Sequence, residues 1–280
     1  MGGRPPPSWD VINEIDLDHV AVATERQADA WPRYMGELGG AWLSGGDSPG
    51  FSAAQVAFAN GMKVEVLEPH LVEVNDFLRR FLDQNGAGPH HLTFKVADIR
   101  GALATAEAAG FTPVGVDLSN DGWQEAFLHP KQASGVVVQL AQSGGDWESD
   151  PPSDAPQPGS VGPARLDHVT HVVADLEAAS SLFGDLLGGT ALGDGQLDGG
   201  RYLDFGWPGP GRIRLVSPMM VDGGSSPWAA WLGGRPGRVH HLAFAVADPS
   251  AVAGAAPGED GTWIVPPEAN LGVRLVLRAA

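Results

Sequence analysis

The chain has 280 residues, enough for two compact cores, and 43% apolar against 18% charged residues excludes a disordered polyelectrolyte. With 34 acidic and 17 basic residues the formal charge is −17, a field that discourages attraction to nucleic acid or anionic lipid. There is no cysteine, which excludes disulfides, thiolate chemistry and cysteine-ligated metal, and no apolar run reaches the roughly 18 residues of a membrane span.

The first dozen residues, with Pro5-Pro6-Pro7, lack the apolar core of a signal peptide, so a cytoplasmic location is the expectation. Residues 17–23 read as a strand. Residues 25–38, followed by Gly39-Gly40, read as a helix stopped by glycine. Residues 55–59 and 63–67 are strand candidates joined by the Asn60-Gly61 turn signal. A histidine-bearing strand follows over 90–96, and Asp98 caps a helix over 99–109 that Gly110 ends. Segments 125–129 and 135–141 supply further strands. The order of elements is that of two βαβββ units.

Two phrases then recur. Leu17-Asp18-His19-Val20 returns as Leu166-Asp167-His168-Val169, and His90-His91-Leu92-Thr93-Phe94 returns as His240-His241-Leu242-Ala243-Phe244. Two phrases in register indicate a duplicated chain. Domains are placed at 14–143 and 164–280, joined by a linker at 144–163 rich in Gly, Ser, Asp and Pro. In the second copy, helices are expected near 176–186 and 249–256.

Alternation along the strands separates an apolar face from a polar one. Val20 and Val22 oppose His19; Val64 and Val66 oppose Glu65. Leu92, Phe94 and Val96 oppose His91; Val136, Val138 and Leu140 oppose Gln139. If the sheets curve around one cavity, His19, Glu65, His91 and Gln139 converge there. Two imidazoles, a carboxylate and an amide oxygen suit Fe, Co, Ni, Zn or Mn and leave positions for water or substrate. By the same alternation His90 falls on the opposite face from His91, and His171 on the opposite face from His168. The segment Gly206–Gly211 reads as a turn, since it lacks the strand, helix and Lys-Ser/Thr context of a phosphate loop.

These motifs resemble the vicinal oxygen chelate superfamily, the glyoxalase, bleomycin resistance and dioxygenase proteins, with the first half most like its methylmalonyl-CoA epimerase and glyoxalase I branch. The resemblance rests on Leu17–Ala21, Lys63–Pro69, Gly88–Leu92, Phe127–Lys131 and Gly135–Leu140. It implies an α+β fold of tandem domains, each built from paired βαβββ modules around a divalent metal held at His19, Glu65, His91 and Gln139. Epimerase-like members usually carry glutamate where this chain has Gln139, and a second proton-transfer carboxylate would align near Gln55. An amide is no general base near neutrality, so Glu68 and Glu125 join Gln55 as candidates for the catalytic position.

In the second half the corresponding positions hold His168, Arg214, His241 and Val276, a set unsuited to a divalent cation. Arg214 and Arg274, with Trp123 of the first half, are candidates for substrate binding; Trp228 and Trp231 are read as packing. The expected function is a metal-dependent isomerase or lyase acting on a small oxygenated substrate such as a thioester or α-keto compound. An Fe(II) dioxygenase is the enzyme alternative, although the two-domain extradiol pattern puts its metal in the second domain. A non-catalytic small-molecule binding or resistance protein is the third reading. The expected partner is a small molecule, with the chain a monomer or homodimer.

Overall fold

A computed structural model describes residues 12, 14–144, 148–153, 155–156, 163–219 and 226–280. The first-dozen reading therefore falls almost wholly, and the linker reading half, outside the described residues.

In the first half, strand β1 (Ile15–Ala23) leads to β2 (Ala41–Ser48), β3 (Phe51–Ala57) and β4 (Lys63–Glu68). After helix α1 (Phe77–Asn85) the pattern restarts with β5 (Gly88–Val96), helix α2 (Ile99–Ala108), β6 (Val114–Asp117), β7 (Trp123–Leu128) and β8 (Val137–Ser143). All eight strands form one curled sheet in the order β2-β3-β4-β1-β5-β8-β7-β6. The order reads outward from an antiparallel β1–β5 seam, with β4 parallel to β1 on one side and β8 parallel to β5 on the other. Each module therefore contributes half a sheet. Parallel neighbours cannot be joined by a tight turn, which is why each β1-type strand needs a crossover before its partner.

The second half repeats the plan. Strands β9 (Arg165–Val173), β10 (Thr190–Leu197), β11 (Gly200–Gly206), β12 (Arg212–Pro218), β13 (Gly237–Val246), β14 (Ala256–Pro257), β15 (Trp263–Val265) and β16 (Leu275–Ala279) take the same order, offset by eight strands. Helices α3 (Leu176–Ser180) and α4 (Pro227–Leu232) accompany them. The α+β tandem plan expected from sequence is the one observed.

Several elements differ from expectation. The helix expected over 25–38 is split into a 3-10 turn at Gln27–Asp29 and a π-helical segment at Pro32–Glu37. Pro32 has no N–H with which to continue a helix from the preceding turn, so the second segment begins at it. The helix expected near 249–256 shrinks to a 3-10 turn at Pro249–Ala251, cut short before Gly254 and Pro257. Strand β2 and helix α1 were not anticipated. Asp98 caps α2 as expected, its carboxylate accepting from the Arg100 N–H at 3.1 Å.

The apolar strand faces named from alternation are buried in a core shared by both halves. Val20, Val64, Leu92, Phe94 and Val138 lie in it with Leu242, Phe244, Leu275 and Leu277. Phe94 meets Phe183 and Trp207, and Phe58 meets Phe244 with ring centroids 5.0 Å apart. Polar contacts also cross: Arg33 donates to the Ala253 carbonyl, and the Asn270 amide donates to the Tyr34 hydroxyl. Burial of the large side chains at about 25 cal/mol per Å² is what holds the halves together.

Two glycine pairs set how closely they approach. A side chain at Gly237 would overlap the Ser134 carbonyl, and one at Gly135 would overlap the Gly237 backbone. The same contact recurs with roles exchanged, Gly272 lying against Ala87 and Gly88. The His171 ring, buried and bonded to the Ser134 carbonyl at 2.8 Å, closes the first of these seams.

Candidate metal centre

The polar residues of four central strands meet on the concave side of the first sheet. His19 of β1 is fully buried, with Glu65 of β4 and His91 of β5 at 8% and 5% exposure. One Glu65 carboxylate oxygen lies 3.5 Å from His19 Nε2 and 3.5 Å from His91 Nε2. Neither Nε2 has a hydrogen-bond partner. Two buried ring nitrogens aimed at one carboxylate, and bonded to nothing else, are left wanting a shared cation. Among the described residues this is the one group of His, Asp and Glu side chains with metal-ligand spacing.

Irregularities in the seam orient both rings. The β1–β5 register shifts between Leu17 and His19, so Asp18 and His19 fall together on the concave side. Asp18 accepts from His19 Nδ1 at 2.7 Å, which leaves Nε2 free to face the centre. Its other oxygen takes the Lys63 ammonium at 2.6 Å. A second shift places His90 beside His91 rather than opposite it, with the two Nδ1 atoms 2.8 Å apart. This corrects the alternation reading: the bulge breaks the period of two. Phe77 and Phe81 of α1 pack against the His90 ring, while Leu78 and Leu82 cover Ala21, Ala23 and Leu67.

The charges follow from these contacts. Burial disfavours ionisation of Glu65, yet the adjoining His19 outweighs it and holds the carboxyl down to about 2. Burial likewise opposes a charge on His19, but Glu65 and Asp18 lift it to about 9. His91, buried and next to His90, is pushed down to about 3 and stays neutral. Asp18 is held well below the usual carboxylate range by His19, Lys63 and Lys95, against the effect of burial. Without a cation, the centre holds a protonated His19 against an ionised Glu65.

The remaining candidates distribute unevenly. Gln139 of β8 lies beside the triad; its oxygen accepts from the Thr93 hydroxyl at 2.5 Å, and its amide donates to Glu125 at 2.7 Å. Gln55 of β3 pairs in register with Glu65 and donates to it at 3.2 Å. Glu125 lies on strand β7, held by the Trp123 indole at 2.7 Å, and burial raises its pKa. Glu68 is turned to the Gln27 backbone N–H at 2.6 Å and is not among the cavity-lining residues. Asp18 and His90 were missed as supporting groups. The signal for the first was the Asp-His dipeptide at a strand centre.

Glu65 and His91 of the triad line a cavity of about 1540 Å³, which also takes in Gln55, Trp123, Glu125 and Gln139, with His19 fully buried behind them. Its wall is completed by the second half, through Trp231, Arg235, Arg238 and His240.

The matching position in the second half is built differently. Arg214 replaces the carboxylate and forms a two-point bond with Asp204 at 2.8 and 2.7 Å, its guanidinium over Tyr202. His241 Nε2 is engaged by Thr170 at 3.0 Å, where the first half has Ala21. Val276 stands opposite Ala243, as Gln139 stands opposite Thr93. Arg274 lies over Trp231 at 5.6 Å. Burial and Arg214 push His168 down to about 4. A cation would find no charged oxygen there that is not already held by arginine.

A duplicated curled sheet with a His-Glu-His centre on its concave face defines a class, and sequence comparison agrees with it. Residues 18–127 match the model of the glyoxalase/bleomycin resistance protein/dioxygenase superfamily. An ethylmalonyl-CoA/methylmalonyl-CoA epimerase of Cereibacter sphaeroides is 31% identical over 132 residues, 45% of this chain and 96% of that protein. A Bacillus subtilis protein, YqjC, is 28% identical over 139 residues, 48% of this chain and 96% of the relative. A mutant 4-hydroxymandelate synthase from Streptomyces coelicolor shares the fold over 95% of this chain and 93% of its own, with TM-score 0.63 at 15% identity. The chain belongs to the glyoxalase/bleomycin resistance protein/dioxygenase superfamily, the vicinal oxygen chelate proteins, as a tandem of two such folds. Members of this superfamily use divalent metals. No helix among the described residues is long and apolar enough to cross a membrane.

Proposed function

We propose that the chain is a divalent-metal-dependent isomerase or lyase that moves a proton next to a carbonyl-type oxygen of a small substrate, a thioester or α-keto compound. The observation that carries this reading is the pair of unpartnered Nε2 atoms, on His19 and His91, each 3.5 Å from the same Glu65 oxygen. Domains at 14–143 and 164–280, with a linker at 144–163, complete the proposal, the first domain holding the metal.

Two imidazoles and a carboxylate fit Fe, Co, Ni, Zn or Mn, and such a cation supplies a Lewis acid that draws electron density from a substrate oxygen. Asp18 keeps the His19 tautomer that presents Nε2. Gln139 retains a second lone pair on its oxygen for the same centre, while Thr93 and Glu125 hold its amide in place. Gln55 cannot take a proton; it orients Glu65. Of the cavity carboxylates outside the triad, Asp47 and Asp117 are exposed, whereas Glu125 is half-buried and bonded to Gln139, and it is the residue assigned to carry the proton. Arg214, turned to Asp204, is better suited to building the second half than to meeting substrate.

The test is metal content. Protein purified without added metal, then reconstituted with Fe, Co, Ni, Zn or Mn in turn, should bind close to one ion per chain, and His91→Ala should lose it. Binding no higher than in the variant would sink the reading. The two-His-one-carboxylate set also fits Fe(II), the dioxygenase alternative; turnover that requires oxygen would select it. Metal binding without turnover of any thioester or α-keto compound would favour a small-molecule binding protein.

A further inference from the structure

A chain of net charge −17 places all three of its lysines, Lys63, Lys95 and Lys131, on the wall of the cavity that Glu65 and His91 line. Lys63 and Lys95 are committed to Asp18. Lys131, Arg235 and Arg238 form no ion pair among the described residues. Arg235 and Arg238 come from the opposite half of the molecule, and the glycine seam explains why. Gly237, between them in sequence, lies directly against Ser134 and Gly135, at the end of the loop that carries Lys131.

The local sequence departs from the repeat at this point. By register against β1 and β9, Gly88-Pro89-His90-His91 in the first half corresponds to Arg238-Val239-His240-His241 in the second. Gly88 is replaced by an arginine, Arg238, whose guanidinium stands 4.3 Å over the Trp231 ring. Partial burial and the like charge of Arg235 press on Arg238 and lower its pKa. Two neighbouring guanidinium groups held at a cavity wall with no carboxylate between them repel each other, and an anion would relieve that repulsion.

The cavity, at about 1540 Å³, also exceeds the roughly 300–1,000 Å³ that suffices for a drug-sized ligand. A small chelating head would leave much of it unfilled. We propose that the substrate carries, beside the oxygens facing His19, Glu65 and His91, an anionic group of phosphate or carboxylate type, and that Arg235 and Arg238 of the second half bind it. The second half, without a metal centre of its own, thereby serves as the specificity wall of the first. This rests on the proposed metal-dependent reading for the chelated end of the substrate alone.

The experiment uses metal-free protein at low salt, titrated calorimetrically with inorganic pyrophosphate and, separately, with succinate. At least one should bind saturably, once per chain, and the one that binds distinguishes phosphate from carboxylate. The R235A/R238A double variant should bind it about tenfold to a hundredfold more weakly, while R100A, altered on α2 away from the cavity, binds as wild type. Unchanged metal stoichiometry and melting temperature in the double variant show that the fold is intact; should it not fold, R235Q/R238Q takes its place. Equal affinity in wild type and double variant overturns the proposal, as does failure of both anions to saturate. Anion binding without metal binding would uphold this inference and sink the metal reading; metal binding without anion binding would do the reverse.

Discussion

Glu65 governs its neighbours. It raises His19 to about 9 and is itself held at about 2 by the same contact. Replacing it with glutamine removes the charge that favours protonated His19, so the ring should titrate well below 9 in Glu65→Gln, as read by NMR of the imidazole protons. Metal affinity should fall at least tenfold in the same variant; an unchanged His19 titration would contradict the assigned geometry. Asp18→Asn should leave the fold intact and weaken metal binding about tenfold to a hundredfold, the usual cost of losing the group that orients a ligand histidine. Metal binding should itself depend on pH. Below about 9 the cation-free His19 holds a proton that ligation must displace, so affinity should rise about tenfold per pH unit between 6 and 8. Competition against a chelator at several pH values measures this, after correction for the chelator's own protonation. A flat profile would mean that His19 is neutral before metal arrives.

The elements carry their information in their irregularities. Regular alternation along β1 and β5 gives the sheet an apolar face. The shifts at Asp18 and His90 place two supporting groups beside the two ligand histidines. Helix α1 seals that side through Phe77, Phe81, Leu78 and Leu82. The close approach of β13 to the loop before β8 depends on Gly237 having no side chain. Gly237→Ala has to push Ser134 away, and should cost about 1–3 kcal/mol as overpacking. Urea denaturation measures that loss; a variant as stable as wild type would show that the seam yields easily.

Across the whole molecule, histidine burial sets the response to acid. His90, His91, His168, His171, His240 and His241 all have pKa values lowered by burial. Unfolded, these rings take up protons near 6.5; folded, they refuse them until the pH is much lower. The unfolded state therefore binds more protons below about 6.5, and stability should fall on acidification by about 1.4 kcal/mol per pH unit for each proton of difference. His19 has the opposite sign: its contribution is complete below 6.5 and is lost as pH rises through about 9. Metal-free protein should thus be less stable at pH 5.5 than at pH 6.5 in denaturant titrations, and equal midpoints and slopes would refute the buried-neutral assignment.

Much of this was legible in the chain. The repeated Leu-Asp-His-Val and His-His-Leu phrases carry the duplication, and alternation at Val20, Val64, Leu92 and Val138 carries the faces of the central strands. Both are local properties, because side chains on a strand alternate whatever the rest of the protein does. Alternation also names the triad, since His19, Glu65 and His91 stand opposite apolar neighbours on three strands. Their meeting is a different matter: it depends on sheet order and curl, which no single strand contains. His90 beside His91 depends on a bulge, which shifts register against a partner strand. The break before Pro32 was readable from the missing N–H, but the apolar pattern around it masked the signal. The wall that Arg235 and Arg238 give to the first-half cavity arises only from packing between copies, where two bare glycine backbones let distant segments touch. Sequence determined which side chains are available and which way each strand turns them; tertiary structure decided which of them share a space.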